Sequence, residues 1–383
     1  MPDALIERIR AAYETNAPLI IQGGGSKSFY GNADEGEVLS TRGLAGVVDY
    51  QPKELVLTAR AGTPLAEIEA LLAEHSQMLA FEPPHFGEFP LPGRAPDALT
   101  TANPIHATLG GAIAAGLSGP RRPYAGAARD FVLGVRMIDG TGQPLRFGGQ
   151  VIKNVAGYDV SRLMVGALGT LGLLTEVSLK VLPRPAEEVS LQFELDEATA
   201  IRRMNEWAGQ PLPLSATSWH AGLLTVRLSG AASSVHAAQA KLGGEPLHDA
   251  AGFWQRLRDQ ATPFFDKRPL WRLAVKSTTP PLKLGEAQWI EWGGAVRWLA
   301  SDLPAARLRE AARDAGGHAT LFRGDAPSPQ PSPRAGEGAN VMSNRIDGVF
   351  TPLAPAMLTL HRALKQRFDP KGIFNRGRLY PDF

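Results

Sequence analysis

Residues 19–28 read Leu19-Ile20-Ile21-Gln22-Gly23-Gly24-Gly25-Ser26-Lys27-Ser28. A short β-branched run passes straight into three consecutive glycines. That junction describes a strand ending in a loop whose backbone is free to take positive φ and to approach another group closely. Successive N–H groups in such a loop converge on an anion, and a diphosphate is the natural ligand. Ser26 and Ser28 add hydroxyl donors, and Lys27 adds charge. The spacing is neither G-x-G-x-x-G nor G-x-x-x-x-G-K-[ST], which argues against Rossmann and Walker loops. A purely structural turn would show the same local pattern, so this loop decides the fold only together with two further segments.

The second is Thr108-Leu109-Gly110-Gly111-Ala112-Ile113-Ala114-Ala115-Gly116-Leu117-Ser118-Gly119. Glycine and alanine dominate it, so whatever packs there comes very close to the backbone. A tightly packed helical turn makes that demand, and so does a flat ligand such as an isoalloxazine. The third runs from Val151 to Asp159 and on through Leu163-Met164-Val165-Gly166-Ala167-Leu168-Gly169-Thr170-Leu171-Gly172-Leu173-Leu174-Thr175-Glu176. A core strand is weakened by three glycines, so close backbone contact with a cofactor explains them better.

Around these segments the first 185 residues alternate short strands and helices. Leu5, Ile6, Ile9 and Tyr13 share one face of an N-terminal amphipathic helix. Residues 46–50 and 55–59 read as neighbouring strands, and Thr63-Pro64 as an N-cap with proline at the first helical position. The following helix carries Leu65, Ile68, Leu71 and Leu72.

The character changes near Arg184-Pro185. All seven tryptophans lie beyond it, between Trp207 and Trp298, in strand-like and helix-like pairs that predict a second α+β domain with a sheet covered by helices. The tryptophans read as core, with some available as interface anchors. Residues 325–340 are rich in Pro, Ser, Gly and Ala and read as a low-complexity inserted loop. The expected layout is therefore 1–185, 186–324, the insertion 325–340, and a C-terminal segment 341–383 that returns to the first domain.

Composition narrows the function. These 383 residues hold no cysteine, which excludes a Cys-ligated iron–sulfur cluster, a thiol nucleophile and sulfur-linked flavin among them. Dispersed charges with a net of +2 give no stripe for nucleic acid. No apolar run of membrane-spanning length and no secretory h-region occur, so the expected compartment is the cytoplasm, with membrane association only through partners.

Three glycine-rich segments in this order, joined by Arg129-Asp130-Phe131-Val132-Leu133-Gly134 and Asp139-Gly140, resemble the FAD-binding domain of the vanillyl-alcohol oxidase and p-cresol methylhydroxylase superfamily. The resemblance covers residues 17–183. Within that superfamily, residues 106–134, 151–176 and the tail 368–383 resemble the family of glycolate oxidase FAD-binding subunits. The resemblance implies an α+β fold: a PCMH-type FAD-binding domain of two α+β subdomains, plus an α+β cap domain. It implies non-covalent FAD, since members with histidyl attachment carry His where this chain has Ser26-Lys27. Gly23, Gly24, Gly25 and Ser26, flanked by Gln22, Lys27 and Ser28, would hold the pyrophosphate. Thr108, Gly110, Gly111 and Ala114, with Gly119 closing the segment, would approach the isoalloxazine. Gly172 and Leu174 would meet the adenosine. Implied partners are a second flavoprotein subunit and an iron–sulfur subunit, and the implied substrate is a small 2-hydroxy acid, with glycolate oxidised to glyoxylate. In the tail, Arg376 stands before Gly377 where the family usually has proline.

Catalytic residues stay unassigned, and no metal is expected. The eight histidines form no H-x-H pair and show no ligand spacing. His106, Arg121, Arg122, Arg129 and the Tyr158-Asp159 pair are weaker candidates, each with a plain packing, ion-pair or turn role beside the functional one. The rival readings are a stand-alone FAD-dependent alcohol or hydroxy-acid oxidoreductase and a flavin-free scaffold subunit.

Overall fold

Helix α1 (Pro2–Thr15) leads into β1 (Leu19–Gln22), which pairs in parallel with β2 (Glu37–Ser40). The computed structural model describes residues 2–33, 35–87, 106–149, 159–285, 287–324 and 348–381. The expectations for residues 151–158 and 325–340 lie outside them. Ile9 of α1 is buried with Leu19 and Leu39, and Leu5, Ile6 and Tyr13 pack against the same small core. That is the face read from the sequence.

A second core forms on an antiparallel sheet. It contains β3 (Val47–Gln51), β4 (Val56–Arg60), β6 (Val132–Ile138), β7 (Pro144–Gly148) and β8 (Leu173–Lys180), in the order β3-β4-β8-β6-β7. Between them in the chain lie α2 (Leu65–Glu74), β5 (Gln77–Met78), α3 (Leu109–Ala115), α4 (Arg122–Ala125) and α5 (Val160–Leu163). The two-residue β9 (Leu182–Pro183) follows β8 and pairs with β5. Leu65, Ile68 and Leu72 of α2 are fully buried in one cluster with Leu57, Ile113, Val177 and Leu179. Each such side chain stabilises the fold by roughly 1.5–3 kcal/mol.

One local expectation is corrected. Thr63 does not cap α2: Pro64 is extended (ψ 137°) and the helix begins at Leu65. Tertiary bonds claim Thr63 instead, its Oγ1 donating to the Arg60 carbonyl at 2.8 Å and accepting from the Gly46 N–H at 2.9 Å. The Leu65 N–H then finds the Ala107 carbonyl at 2.8 Å. The glycines of the third segment lie ahead of the strand that follows them, as their poor fit to a core strand implies. Gly166 and Gly169 sit in a loop at φ +85° and +74°, and β8 begins only at Leu173.

The second unit spans Pro185–Pro352. Its strands are β10 (Glu187–Glu194), β11 (Leu214–His220), β12 (Leu223–Gly230), β13 (Glu245–Pro246), β14 (Leu270–Ala274), β15 (Gln288–Glu291), β16 (Val296–Ala300) and β17 (His318–Arg323). They form one antiparallel sheet in the order β13-β10-β12-β11-β15-β16-β14-β17. Helices α6 (Glu197–Ala208), α7 (Ala232–Leu242), α8 (Ala250–Arg258) and α9 (Ala305–Asp314) alternate with the strands. Asp196 caps α6 by accepting from the Thr199 N–H at 2.9 Å, and Ala200, Ile201, Met204 and Trp207 form its buried face. Six of the seven tryptophans are buried, leaving Trp292 half-buried, so they are core residues.

Val349 and Thr351 still bond to β17, through Leu321 N–H to Val349 O at 2.9 Å and Thr351 Oγ1 to Ala319 O at 2.8 Å. The return to the first unit, expected from residue 341, therefore comes at Leu353. There α10 (Pro355–Phe368) and the tail rejoin the first unit, and Phe374 forms a parallel bridge with Leu19 of β1.

Candidate functional site

The loop after β1 is built to expose its N–H groups. Arg42 donates to the Gly23 carbonyl at 3.3 Å and to the Gly24 carbonyl at 2.9 Å, and the Thr41 N–H takes the Gln22 carbonyl at 2.9 Å. With the carbonyls held, the N–H groups of Gly23, Gly24, Gly25 and Ser26 have no hydrogen-bond acceptor among the described residues. Gly24 is buried and its three neighbours half-buried, and four open N–H groups in a row along a cavity wall suit an acceptor-rich ligand. Gly24 also lies so close to the His106 carbonyl that a methyl group would collide with it, and Gly25 sits at φ +82°. The glycines are therefore a steric requirement of the cradle.

Thr108 caps α3, its Oγ1 accepting from the Gly111 N–H at 3.3 Å, and Gly116 ends the helix in the left-handed region at φ +64°. Gly110 presses on Ala61, where an added Cβ would come within 2.7 Å of the alanine methyl. The third segment folds back onto α3, with Leu168 N–H to Ala114 O at 2.8 Å and Gly166 N–H to Ile113 O at 3.1 Å.

The tail closes the ring. Asn375 Oδ1 accepts from the Ile21 N–H at 2.7 Å and its Nδ2 donates to Leu168 O at 2.6 Å, tying the third segment to β1. Lys365 secures the tail: its Nζ donates to Asp369 Oδ2 at 2.7 Å and to the carbonyls of Thr170 and Phe374 at 2.8 Å. Burial holds this ammonium below the usual lysine range, against the opposing pull of Asp369. Arg376 occupies the second position of a turn closed by Arg378 N–H to Asn375 O at 3.0 Å, with Gly377 at φ +77° in the third. Such a turn accepts proline at its second position, so Arg376 preserves the geometry.

Together these segments enclose a cavity of about 260 Å³. Gln22, Gly23, Gly24, Gly25, Ser26, Lys27, Ser28, Thr108, Gly110, Gly111, Ala114, Gly172 and Leu174 all line it. Gly119 does not: its N–H is bonded to Phe81 O at 2.9 Å. The sequence reading passed over Thr41, Ala61, Asn375 and Arg378, which line the same cavity from distant parts of the chain. A diphosphate suits the N–H row and the Lys27 and Arg378 cations, and a planar ring system suits the Gly and Ala wall.

The weaker candidates take structural places. His106 is exposed, with its carbonyl against Gly24. Arg121 is bound to Glu82 through its N–H at 2.8 Å and its Nε at 3.3 Å. Asp159 caps α5 at the Arg162 N–H, 3.2 Å, and pairs with the Arg162 guanidinium at 2.9 Å. Arg129 lies on the exposed surface.

Comparison with known proteins fits this arrangement. A family model described as an FAD binding domain matches residues 2–89 and 97–148. Glycolate oxidase subunit GlcE of Escherichia coli (strain K12) is 46% identical over 380 residues, covering 99% of this chain and 97% of that protein. The chain belongs to the GlcE family. It is an FAD-linked oxidoreductase with FAD as its cofactor. Glycolate oxidase subunit GlcD of Bacillus subtilis (strain 168) is 29% identical over 202 residues, 50% of this chain and 39% of that one. The solved structure of p-cresol methylhydroxylase with substrate bound shares the fold at 14% identity and a TM-score of 0.67, over 100% of this chain and 88% of that one. The α+β, PCMH-type architecture is thus shared by this GlcE-family chain. No described helix is long and apolar enough to cross a membrane.

Proposed function

We propose that this chain is the FAD-binding subunit of a glycolate (2-hydroxy-acid) oxidase complex. The supporting observation is full-length similarity to a glycolate oxidase subunit, together with the ring of three glycine-rich segments around one cavity. Converting glycolate to glyoxylate removes two electrons and two protons from the carbinol, and bound FAD supplies the two-electron acceptor. The chain's own residues do the holding. The N–H groups of Gly23 to Ser26 would bind the diphosphate, and the close-packed wall from Thr108 to Ala114 would seat the ring system. Gly172 and Leu174 would meet the adenosine.

In this reading electrons leave for an iron–sulfur subunit. The 383 residues hold no cysteine to ligate a cluster, which supports placing the cluster on a partner. A second flavoprotein subunit completes the assembly, and the absence of a His-x-His pair from the sequence favours oxidation of the hydroxy acid on that sister subunit. Any membrane association would come through these partners.

The test is an anaerobic visible spectrum of the purified chain before and after glycolate, repeated with the partner subunits. Flavin that stays oxidised until partners are added supports the electron-transferring subunit. Flavin that bleaches in the isolated chain establishes a self-sufficient substrate site. A colourless chain that takes up no FAD sinks the proposal in favour of a scaffold.

A further inference from the structure

The tail residue Arg378 lies more than 340 positions from the glycine loop, yet lines the same cavity as Gly25, Ser26 and Ser28. It is held there by construction. Its Nη2 donates to the carbonyls of Ser28 at 2.6 Å and Tyr30 at 2.7 Å, while Arg378 O accepts from the Asn32 N–H at 2.9 Å. The turn that carries it is pinned by Asn375, whose amide bonds to Ile21 and Leu168. A guanidinium locked in this way loses little side-chain freedom on meeting an anion, and Arg378 lines the same cavity as the residues with the open N–H groups.

Arg42 makes the contrast clear. It also bonds to loop carbonyls, those of Gly23 and Gly24, but it is absent from the cavity lining. One arginine thus orients the loop, and another stands on the ligand side.

We infer that Arg378 is a diphosphate-binding residue of the FAD site, so that the C-terminal turn Asn375–Arg378 forms a fourth binding segment beside the three glycine-rich ones. The inference rests on the cavity being the FAD site. The cation neutralises diphosphate charge that the backbone N–H groups alone only solvate. Lys27 adds a second cation on the same loop, its Nζ 3.2 Å from Ser26 Oγ.

The experiment titrates the flavin-stripped full chain with three probes: FAD, ADP and riboflavin. Arg378→Gln and Arg378→Lys are compared with the wild type, and folding of each is checked by its urea midpoint. FAD and ADP carry the diphosphate, whereas riboflavin does not. Arg378→Gln is expected to weaken FAD and ADP by about tenfold to a hundredfold and leave riboflavin unchanged, the size expected for a lost charge-assisted hydrogen bond. Arg378→Lys should recover part of that loss, because it restores charge without the forked geometry. Equal ADP binding by wild type and Arg378→Gln overturns the inference. So does a parallel loss of all three probes, which would mark a structural role. A wild-type chain that binds none of them overturns the cofactor site itself, and this inference with it.

Discussion

Gly24 faces the carbonyl oxygen of His106 with no room for a methyl group between them. The contact joins the first glycine-rich loop to the residues leading into α3, so it sets how closely two walls of the cavity approach. Gly24→Ala is expected to force them apart, costing about 1–3 kcal/mol in stability and releasing FAD. Gly209 is the control, because it sits at φ −82° and an added Cβ would meet nothing nearer than 3.6 Å. Gly209→Ala is expected to change stability by less than about 1 kcal/mol. Urea unfolding and flavin retention on gel filtration check both. A Gly24→Ala chain that is as stable and as yellow as wild type would contradict the cradle.

Asn375 is expected to matter as much as any glycine. Asn375→Ala leaves the Ile21 N–H and the Leu168 carbonyl without their partner, at about 1–3 kcal/mol for each orphaned group. It also places alanine at φ +41°, which asparagine tolerates better. The expected outcome is faster FAD release, followed by the recovery of free flavin fluorescence on dilution. Release at the wild-type rate would show that β1 and the third segment hold together without it.

The Lys365–Asp369 pair is the buried ionic fastening of the tail, with both residues no more than 5% exposed. Asp369 is further satisfied by the N–H groups of Ile373 at 3.0 Å and Phe374 at 2.8 Å. Lys365→Met removes one charge and leaves the other buried, for an expected loss of about 3–5 kcal/mol. Lys365→Met combined with Asp369→Leu should cost less than the two single changes added together, as a double-mutant cycle by urea unfolding will read.

The same lysine gives a pH dependence. Its folded pKa lies below the unfolded value, with burial as the main cause. Between the two values the unfolded chain binds more protons, so stability rises with pH. This contribution is complete above the unfolded lysine pKa and is lost as pH falls through the folded one. The stability gap between wild type and Lys365→Met should therefore widen as pH is raised through that alkaline window. Urea midpoints at a series of pH values test it, and a gap that narrows would reverse the sign.

Much of the site was readable along the chain because its demands are local. A strand running into Gly23-Gly24-Gly25, and the small residues from Gly110 to Ala115, announce close backbone approach through the lack of side chains alone. Helical periodicity did the same for α1 and α6, where burial on one face follows directly from residue spacing. Thr63 shows where local reasoning stops. Its hydroxyl suits a cap, but the Arg60 carbonyl and the Gly46 N–H compete for it only once the chain has folded.

The sequence by itself determined the α+β class, the three glycine-rich segments, the FAD-binding family they resemble, and the need for clusters, if any, to lie elsewhere than on these cysteine-free residues. Tertiary structure alone decided what completes the cavity. Asn375 and Arg378 reach β1 and its loop from about 350 residues away, and Ala61 and Thr41 enter from other turns of the chain. The order of the eight-stranded sheet and the Lys365–Asp369 fastening were settled in the same way. The physical reason is that a glycine states its need in its own backbone. A side chain's hydrogen-bond partner, by contrast, is fixed only when burial removes water and leaves one partner within reach.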